Sequence, residues 1–316
     1  VETSLIDQFR YSPFLVQMVV TRACNLRCSY CNEFHPQGRT VPVEQLLAQL
    51  DKIRSLGALA VEFTGGEPLL HPELAEIIRY ATALDFPARM LISNAHLMTE
   101  KIVDDLNSAG LTDLQVSVDG IESNKITHKV LSSVEDQLRM ISRKAEFRVQ
   151  LSGVIGACPP DEVLEMVNFA VRMGFAPRIL VIHDGKGQIK TDQENLMVLE
   201  SAKDIMGRRY MESGDYRNRL LSGQPAPFKC RAGARYLYVD EFGNVHWCSQ
   251  RQKQFSRPLM EYSAADLARQ FHTHKTCNEF CTVGCARSVS RFDEWRNQEI
   301  SDIPHSKTIP PDAEHG

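Results

Sequence analysis

Apolar residues over the first two-thirds of the chain follow two alternating rhythms. Short runs rich in β-branched and aromatic residues lie at 14–20, 60–63, 88–92, 114–118, 147–155 and 178–182. Between them, over 43–56, 72–84, 99–109, 124–144 and 161–173, apolar positions recur every three to four residues. The first rhythm predicts strands and the second amphipathic helices. Pro42 precedes the first helix and Pro159-Pro160 the last, while Gly57, Gly110 and Gly174 follow three of them. These are ordinary start and stop signals. Six alternations predict an α/β fold with a parallel sheet and helices outside. A longer, charged helix is expected over 192–213. Gly214 and the Pro/Gly-rich loop 222–227 mark a boundary.

Beyond the boundary the rhythm changes. Residues 235–239 and 244–247 read as a hairpin around the turn 240–243. The last dozen residues, rich in Pro, Asp and His, predict a loosely held tail. The expected division is therefore 1–215, 216–300 and a tail at 301–316, with no internal repeat or low-complexity segment.

Composition bounds the function. The 316 residues are 43% hydrophobic and 24% charged, as in a globular protein. A net charge of −4 and a pI near 6.2 give no bias toward polyanions, so no nucleic-acid partner is expected. No apolar run approaches the roughly 18 residues of a membrane span. Nor does the N-terminus read as a signal peptide. Nine cysteines without a secretion signal argue for a reducing, cytoplasmic setting and for metal ligation rather than disulfides.

Three of those cysteines are crowded together. Cys24, Cys28 and Cys31 lie in Thr21-Arg-Ala-Cys-Asn-Leu-Arg-Cys-Ser-Tyr-Cys31, a Cys-x3-Cys-x2-Cys run. Thiolates in a tight loop suit iron–sulfur clusters or zinc. Three ligands leave one iron of a cubane open to exogenous chemistry, as at catalytic metal sites. After the second strand comes Thr64-Gly65-Gly66-Glu67-Pro68. Its glycines allow close backbone approach, and Glu67 offers a carboxylate to an ammonium.

These motifs resemble those of the radical S-adenosylmethionine (SAM) superfamily. The resemblance implies a partial (β/α)6 TIM-type barrel, open on one side, with its chemistry at the C-terminal ends of the strands. It implies a [4Fe–4S] cluster on Cys24, Cys28 and Cys31, with SAM on the open iron. One electron then cleaves SAM to a 5′-deoxyadenosyl radical that abstracts hydrogen from substrate. Tyr30 matches the family's aromatic before the last cysteine. Gly65, Gly66 and Glu67 match the element that binds the SAM amino group. Ser93 and Asn94, Ser117 and Asp119, and Val154 match the strand ends that contact the SAM carboxylate, ribose and adenine.

Five more cysteines, Cys230, Cys248, Cys277, Cys281 and Cys285, follow the boundary. Cys230 and Cys248 flank the hairpin, which can bring two thiolates together. Cys230-x12-Gly243-x4-Cys248 resembles the opening of the SPASM and twitch extensions of the same superfamily. There a hairpin and a following helix, here 263–271, hold an auxiliary [4Fe–4S] cluster. A full SPASM extension carries about seven cysteines and two clusters. Five fit one cluster with one spare, a hairpin-plus-helix iron–sulfur extension of the twitch type. Cys230 and Cys248 lead the ligand set, Cys281 and Cys285 follow, and Cys277 is either the alternative ligand or a spare facing substrate. Sulfatase maturases need two such clusters, and molybdopterin-precursor cyclases differ in cysteine spacing and end in Gly-Gly.

Two further residues are candidates for the barrel mouth. Cys158 reads either as a small buried hydrophobe or as a hydrogen-atom donor to a substrate radical. His183 could bind substrate or move a proton. The whole points to a radical SAM oxidoreductase acting on a peptide or small metabolite, served by an electron donor such as flavodoxin or ferredoxin. Epimerisation, sulfur or methyl transfer, pure electron transfer and a structural zinc site are the alternatives.

Overall fold

The computed structural model describes residues 9–35, 38–182, 193–206, 216–252 and 254–293. His183, the tail 301–316 and, of the helix expected over 192–213, residues 192 and 207–213 lie outside them. Strands β1 (Leu15–Thr21), β2 (Ala60–Gly65), β3 (Ala88–Ser93), β4 (Asp113–Ser117), β5 (Arg148–Ile155) and β6 (Ala176–Val181) alternate with helices. These are α1 (Val43–Ser55), α2 (Leu74–Ala83), α3 (Glu100–Ala109), α4 (Glu135–Lys144) and α5 (Pro160–Arg172), with α6 (Gln193–Met206) after β6. Strands β1 to β6 pair in chain order, every pair parallel. This is the expected partial TIM-type barrel.

Alternation along each strand sorts its residues. Val16, Met18, Val61, Phe63, Leu114, Val116, Leu151, Ile179 and Val181 join the helices in one buried apolar layer. Their neighbours in sequence, including Gln17, Glu62, Gln115, Gln150 and Arg178, take the opposite face. The α3 ends obey local rules: Thr99 accepts from the Ile102 N–H at the start, and Gly110, at φ 83°, closes it.

One element departs from expectation. The helix expected over 124–144 begins only at Glu135. Asn124 Oδ1 accepts from the N–H groups of Ile126 (2.7 Å) and Thr127 (3.0 Å), and Thr127 Oγ1 accepts from Lys129 N–H (3.1 Å). Such local side-chain bonds offer the backbone an alternative to the helix. The segment is instead a loop that folds back over the barrel mouth.

The C-terminal extension is built onto the same sheet. Strand β7 (Tyr236–Val239) runs parallel beside β1, with Leu15 opposite Tyr236 and Met18 opposite Val239. Strands β8 (Asn244–His246) and β9 (Arg257–Pro258) continue antiparallel. Helix α7 (Ala264–His272) starts with a capping box between Ser263 and Asp266. Helix α8 (Gly284–Arg291) follows. A second apolar cluster joins Leu15 and Val19 of β1 to Tyr236, Tyr238, Cys248 and Ala286. Buried Arg235 ties the extension to the N-terminal segment through Ser12 O (2.8 Å) and Arg10 O (2.8 Å), and pairs with Asp293 (2.8 Å).

Candidate active site

The cysteine loop is rooted where β1 and β2 end. The Gly66 N–H donates to Thr21 O (2.8 Å), and the Glu67 N–H donates to Ala23 O (2.7 Å). Gly65 holds φ at +142°, which other residues rarely adopt. The double glycine thus lets β2 close onto the chain's own backbone at the loop root.

Backbone N–H groups reach the thiols. Cys24 Sγ accepts from Leu26 N–H (3.4 Å), and Cys28 Sγ from His128 N–H (3.3 Å). The His128 donor comes from the loop after β4, which also bonds Ser29 N–H through Ile126 O (2.9 Å). Asn94 Nδ2 approaches Cys24 Sγ at 3.9 Å and bonds Asn25 Oδ1 (2.8 Å). Burial pushes the Cys24 thiol up, so ligation there must release a proton. N–H donors aimed at sulfur favour a thiolate, so this set fits a cluster.

One cavity of about 270 Å³ collects the expected residues. Cys24, Cys28, Cys31 and Tyr30 form one wall, Gly65, Gly66, Ser93 and Asn94 another, and Ser117 and Val154 a third. Glu67, Asp119 and Cys158 stand behind the walls. Glu67 is 1% exposed and accepts from Leu69 N–H (3.1 Å), Ser93 Oγ (2.8 Å) and Asn94 N–H (2.7 Å). Both its oxygens are committed to bracing the end of β3. Burial pushes its pKa up against those bonds. Asp119, fully buried, accepts from Tyr30 OH (2.7 Å) and Thr127 Oγ1 (2.6 Å), so it anchors the cysteine loop from behind. The Cys158 thiol donates to Asp119 O. Burial, with Asp119 and Glu162 nearby, pushes it up to about 12.

Lys129 is a site residue that the sequence reading missed. It lines the cavity, and its Nζ donates to Tyr30 OH (3.3 Å). Burial opposes its charge, but Tyr30, Asp119 and the thiols of Cys31 and Cys28 lift its pKa above the usual range. It was hidden by reading 124–144 as one helix. The inward polar residues of the strands were missed as well. Their signal was visible: every one of the six apolar strand runs carries a Gln, Glu or Arg.

The five C-terminal thiols have different surroundings. Cys230 and Cys248 each act electrostatically on Cys281, and Cys277 acts on both of them. Burial pushes Cys248 and Cys281 up to about 12. Cys285 has Arg178 and Gln17 as its polar partners and lies on the wall of the barrel cavity. Helix α8 begins at Gly284, and Cys285 in its first turn packs, like Cys230, against the apolar cluster that holds Cys248. Among the described residues, no three His, Cys, Asp or Glu side chains are close enough to share a single metal ion. A cubane, with one thiolate per iron at its corners, asks for wider spacing. Also among them, no helix is long and apolar enough to cross a membrane.

Comparison with known proteins places the chain. The chain is 29% identical over 180 residues to a GTP 3′,8-cyclase of Helicobacter pylori, covering 52% of this chain and 54% of that protein. It is 29% identical over 179 residues to an AdoMet-dependent heme synthase of Methanosarcina barkeri, covering 52% and 48%. The chain thus spans about half the length of these curated relatives. Streptococcus suis SuiB, solved with the precursor peptide SuiA, has the same fold at TM-score 0.65 and 14% identity, covering 85% of this chain and 67% of that one. The family model described as the radical SAM superfamily matches residues 18–199, more than half of the chain. With its three-thiol loop, double glycine and strand-end residues around one cavity, the chain belongs to the radical SAM superfamily.

Proposed function

We propose that this radical SAM enzyme abstracts hydrogen from a peptide or small metabolite held in the barrel, and that the net reaction is an oxidation. A [4Fe–4S] cluster with SAM, when bound, supplies an electron from flavodoxin or ferredoxin and a 5′-deoxyadenosyl radical. Cys24, Cys28 and Cys31 are its ligands, and Tyr30, Asp119 and Thr127 hold their loop in place. Gly65, Gly66, Ser93 and Asn94 receive the amino-acid part of SAM; Ser117 and Val154 receive the nucleoside. Lys129 supplies fixed positive charge beside the thiolates. Cys230, Cys248, Cys277 and Cys281 hold an auxiliary [4Fe–4S] cluster as electron acceptor, in a twitch-type extension.

The observation that carries this reading is the single cavity onto which both the three-thiol loop and the extension open. A second reading, return of hydrogen to the substrate from a thiol, attaches to Cys285 on the cavity wall rather than to Cys158. The test is metal and product analysis. Anaerobically reconstituted protein should carry about eight irons, four per cubane. Replacing Cys24, Cys28 and Cys31 together by Ala should remove about half of them. SAM cleavage should vanish. Zinc in place of iron, or cleavage that survives the triple substitution, would overturn the proposal.

A further inference from the structure

The barrel interior holds a polar layer with no part in the chemistry above. Gln17, Glu62, Gln115, Gln150 and Arg178 occupy inward positions midway along β1, β2, β4, β5 and β6. At its centre the Arg178 guanidinium donates from Nη1 to Gln115 Oε1 (2.8 Å) and Gln150 Oε1 (3.4 Å), and from Nη2 to Cys285 Sγ (3.7 Å). Its bonded partners are two amides and a thiol, with no carboxylate among them. Cys285, Glu62 and Tyr216 favour the Arg178 charge electrostatically, while the Glu62 carboxylate accepts its hydrogen bond from Gln17. A buried charge without a bonded partner of opposite sign is costly.

The extension brings more positive potential to the same place. Helix α8 starts here, and Val283, Gly284 and Cys285 line the cavity with Arg178. A Cβ on Gly284 would lie 3.2 Å from Arg178 Nη2, so glycine lets the helix start against the guanidinium. A helix N-terminus carries partial positive charge and free N–H donors. Placed against a guanidinium, it is repelled, unless an anion is shared between the two.

We propose that Arg178, Gln115 and the N-terminus of α8 form the substrate subsite, that it takes an anionic oxygen group, a carboxylate or a phosphate, and that Cys285 lines this subsite rather than binding metal. The assignment rests on the barrel being the substrate chamber. It makes the substrate an acid or a phosphorylated compound anchored deep in the barrel, with its reacting carbon nearer the strand ends.

The test uses reconstituted, SAM-saturated protein and three probes: succinate, inorganic phosphate and neutral succinamide, titrated by ligand-observed NMR. One of the two anions should bind and succinamide should not, and which anion binds identifies the group. Arg178→Gln should weaken anion binding by roughly tenfold or more, the loss expected for a charge-assisted hydrogen bond. Arg178→Lys should recover part of it. The cluster spectrum checks that each variant is folded. Cys285→Ser should keep its full iron content, whereas loss of about four irons would make Cys285 a ligand and overturn that half of the proposal. Equal binding of succinamide, no binding of either anion, or unchanged affinity in Arg178→Gln would overturn the other half. So would anion binding seen only without SAM, which would give the site to the SAM carboxylate. Wild-type protein that cleaves SAM but binds no anion sinks only the subsite, whereas protein without iron sinks the radical reading itself.

Discussion

Replacing Gly66 with alanine should dislodge the cysteine loop at its root. A Cβ there would fall 2.6 Å from the Ala23 carbonyl carbon and 2.7 Å from Arg22 O, and nearer still to Ala23 O. These are backbone atoms, which cannot swing aside as a side chain does. The strand end and the loop root must separate, and the Gly66–Thr21 and Glu67–Ala23 bonds cannot both survive. Overpacking costs about 1–3 kcal/mol and each lost bond about 0.5–1.5 kcal/mol, so with one or both bonds lost a total of about 1.5–6 kcal/mol is expected. The damage should be local, since the C-terminal thiols do not touch this junction. Anaerobic reconstitution followed by iron analysis reads the result. The wild-type protein should hold about eight irons and the variant about four, with SAM cleavage lost. Eight irons with wild-type cleavage would refute the steric argument. Loss of all iron would refute its local character.

Two other outcomes follow from the geometry. Glu67→Ala should lower stability as well as SAM affinity, because it leaves the Asn94 N–H and Ser93 Oγ without their acceptor. About 1–3 kcal/mol per stranded group is expected, partly offset by release of a desolvated carboxylate; denaturant unfolding alongside SAM binding checks it, and weakened binding at wild-type stability would restore Glu67 as a direct SAM ligand. The pair His246–Asp240 (2.8 Å) makes the hairpin pH-sensitive. Gln252 O and Phe255 O ask for a proton on His246 Nδ1 and the Asp240 carboxylate for one on Nε2, so together they favour the charged ring. Burial lowers the His246 pKa, but Asp240 and these carbonyls raise it further, to a net value above the ordinary 6.5. Burial raises that of Asp240, but His246 and Asn244 bring it below the ordinary 3.8. The histidine contribution is therefore full below pH 6.5 and lost as pH rises through its folded value; the aspartate contribution is present above pH 3.8 and lost as pH falls through its own. Unfolding followed by Trp247 fluorescence should show stability falling above pH 6.5, and His246→Gln should remove that slope; an unchanged slope would exclude this pair as its source.

Much of the fold was legible because each strand and helix declares itself over a few residues. The periodicity located β1 to β6 and five helices to within a residue or two, except over 124–144. There, Asn124 and Thr127 bond their own backbone, and long-range contacts to Ser29 and Cys28 decide the outcome. Motif spacing found the cysteine loop and the double glycine, since both are set by local backbone shape. Spacing could not tell Glu67 and Asp119, turned away behind the cavity, from residues facing it. Both matched a motif, but which way a carboxylate turns is decided by partners far off in sequence. Nor could it choose among the five C-terminal cysteines. The surroundings of Cys285, for one, depend on where α8 starts against β6, a contact across more than a hundred residues.

The parallel pairing of β7 with β1 has a consequence for the two thiol clusters. One lies just past the end of β1, and the other is gathered around the strands that begin with β7. Their separation is therefore gauged by a ladder of backbone hydrogen bonds and not by the connecting chain between β6 and β7. A sheet is stiff in its own plane, so loop motion elsewhere leaves this distance nearly constant. Electron tunnelling falls off steeply with distance. A rate set across such a ladder would be built in as the sheet zips together and would tolerate insertions in the connection, yet would fail if β7 were prised from β1.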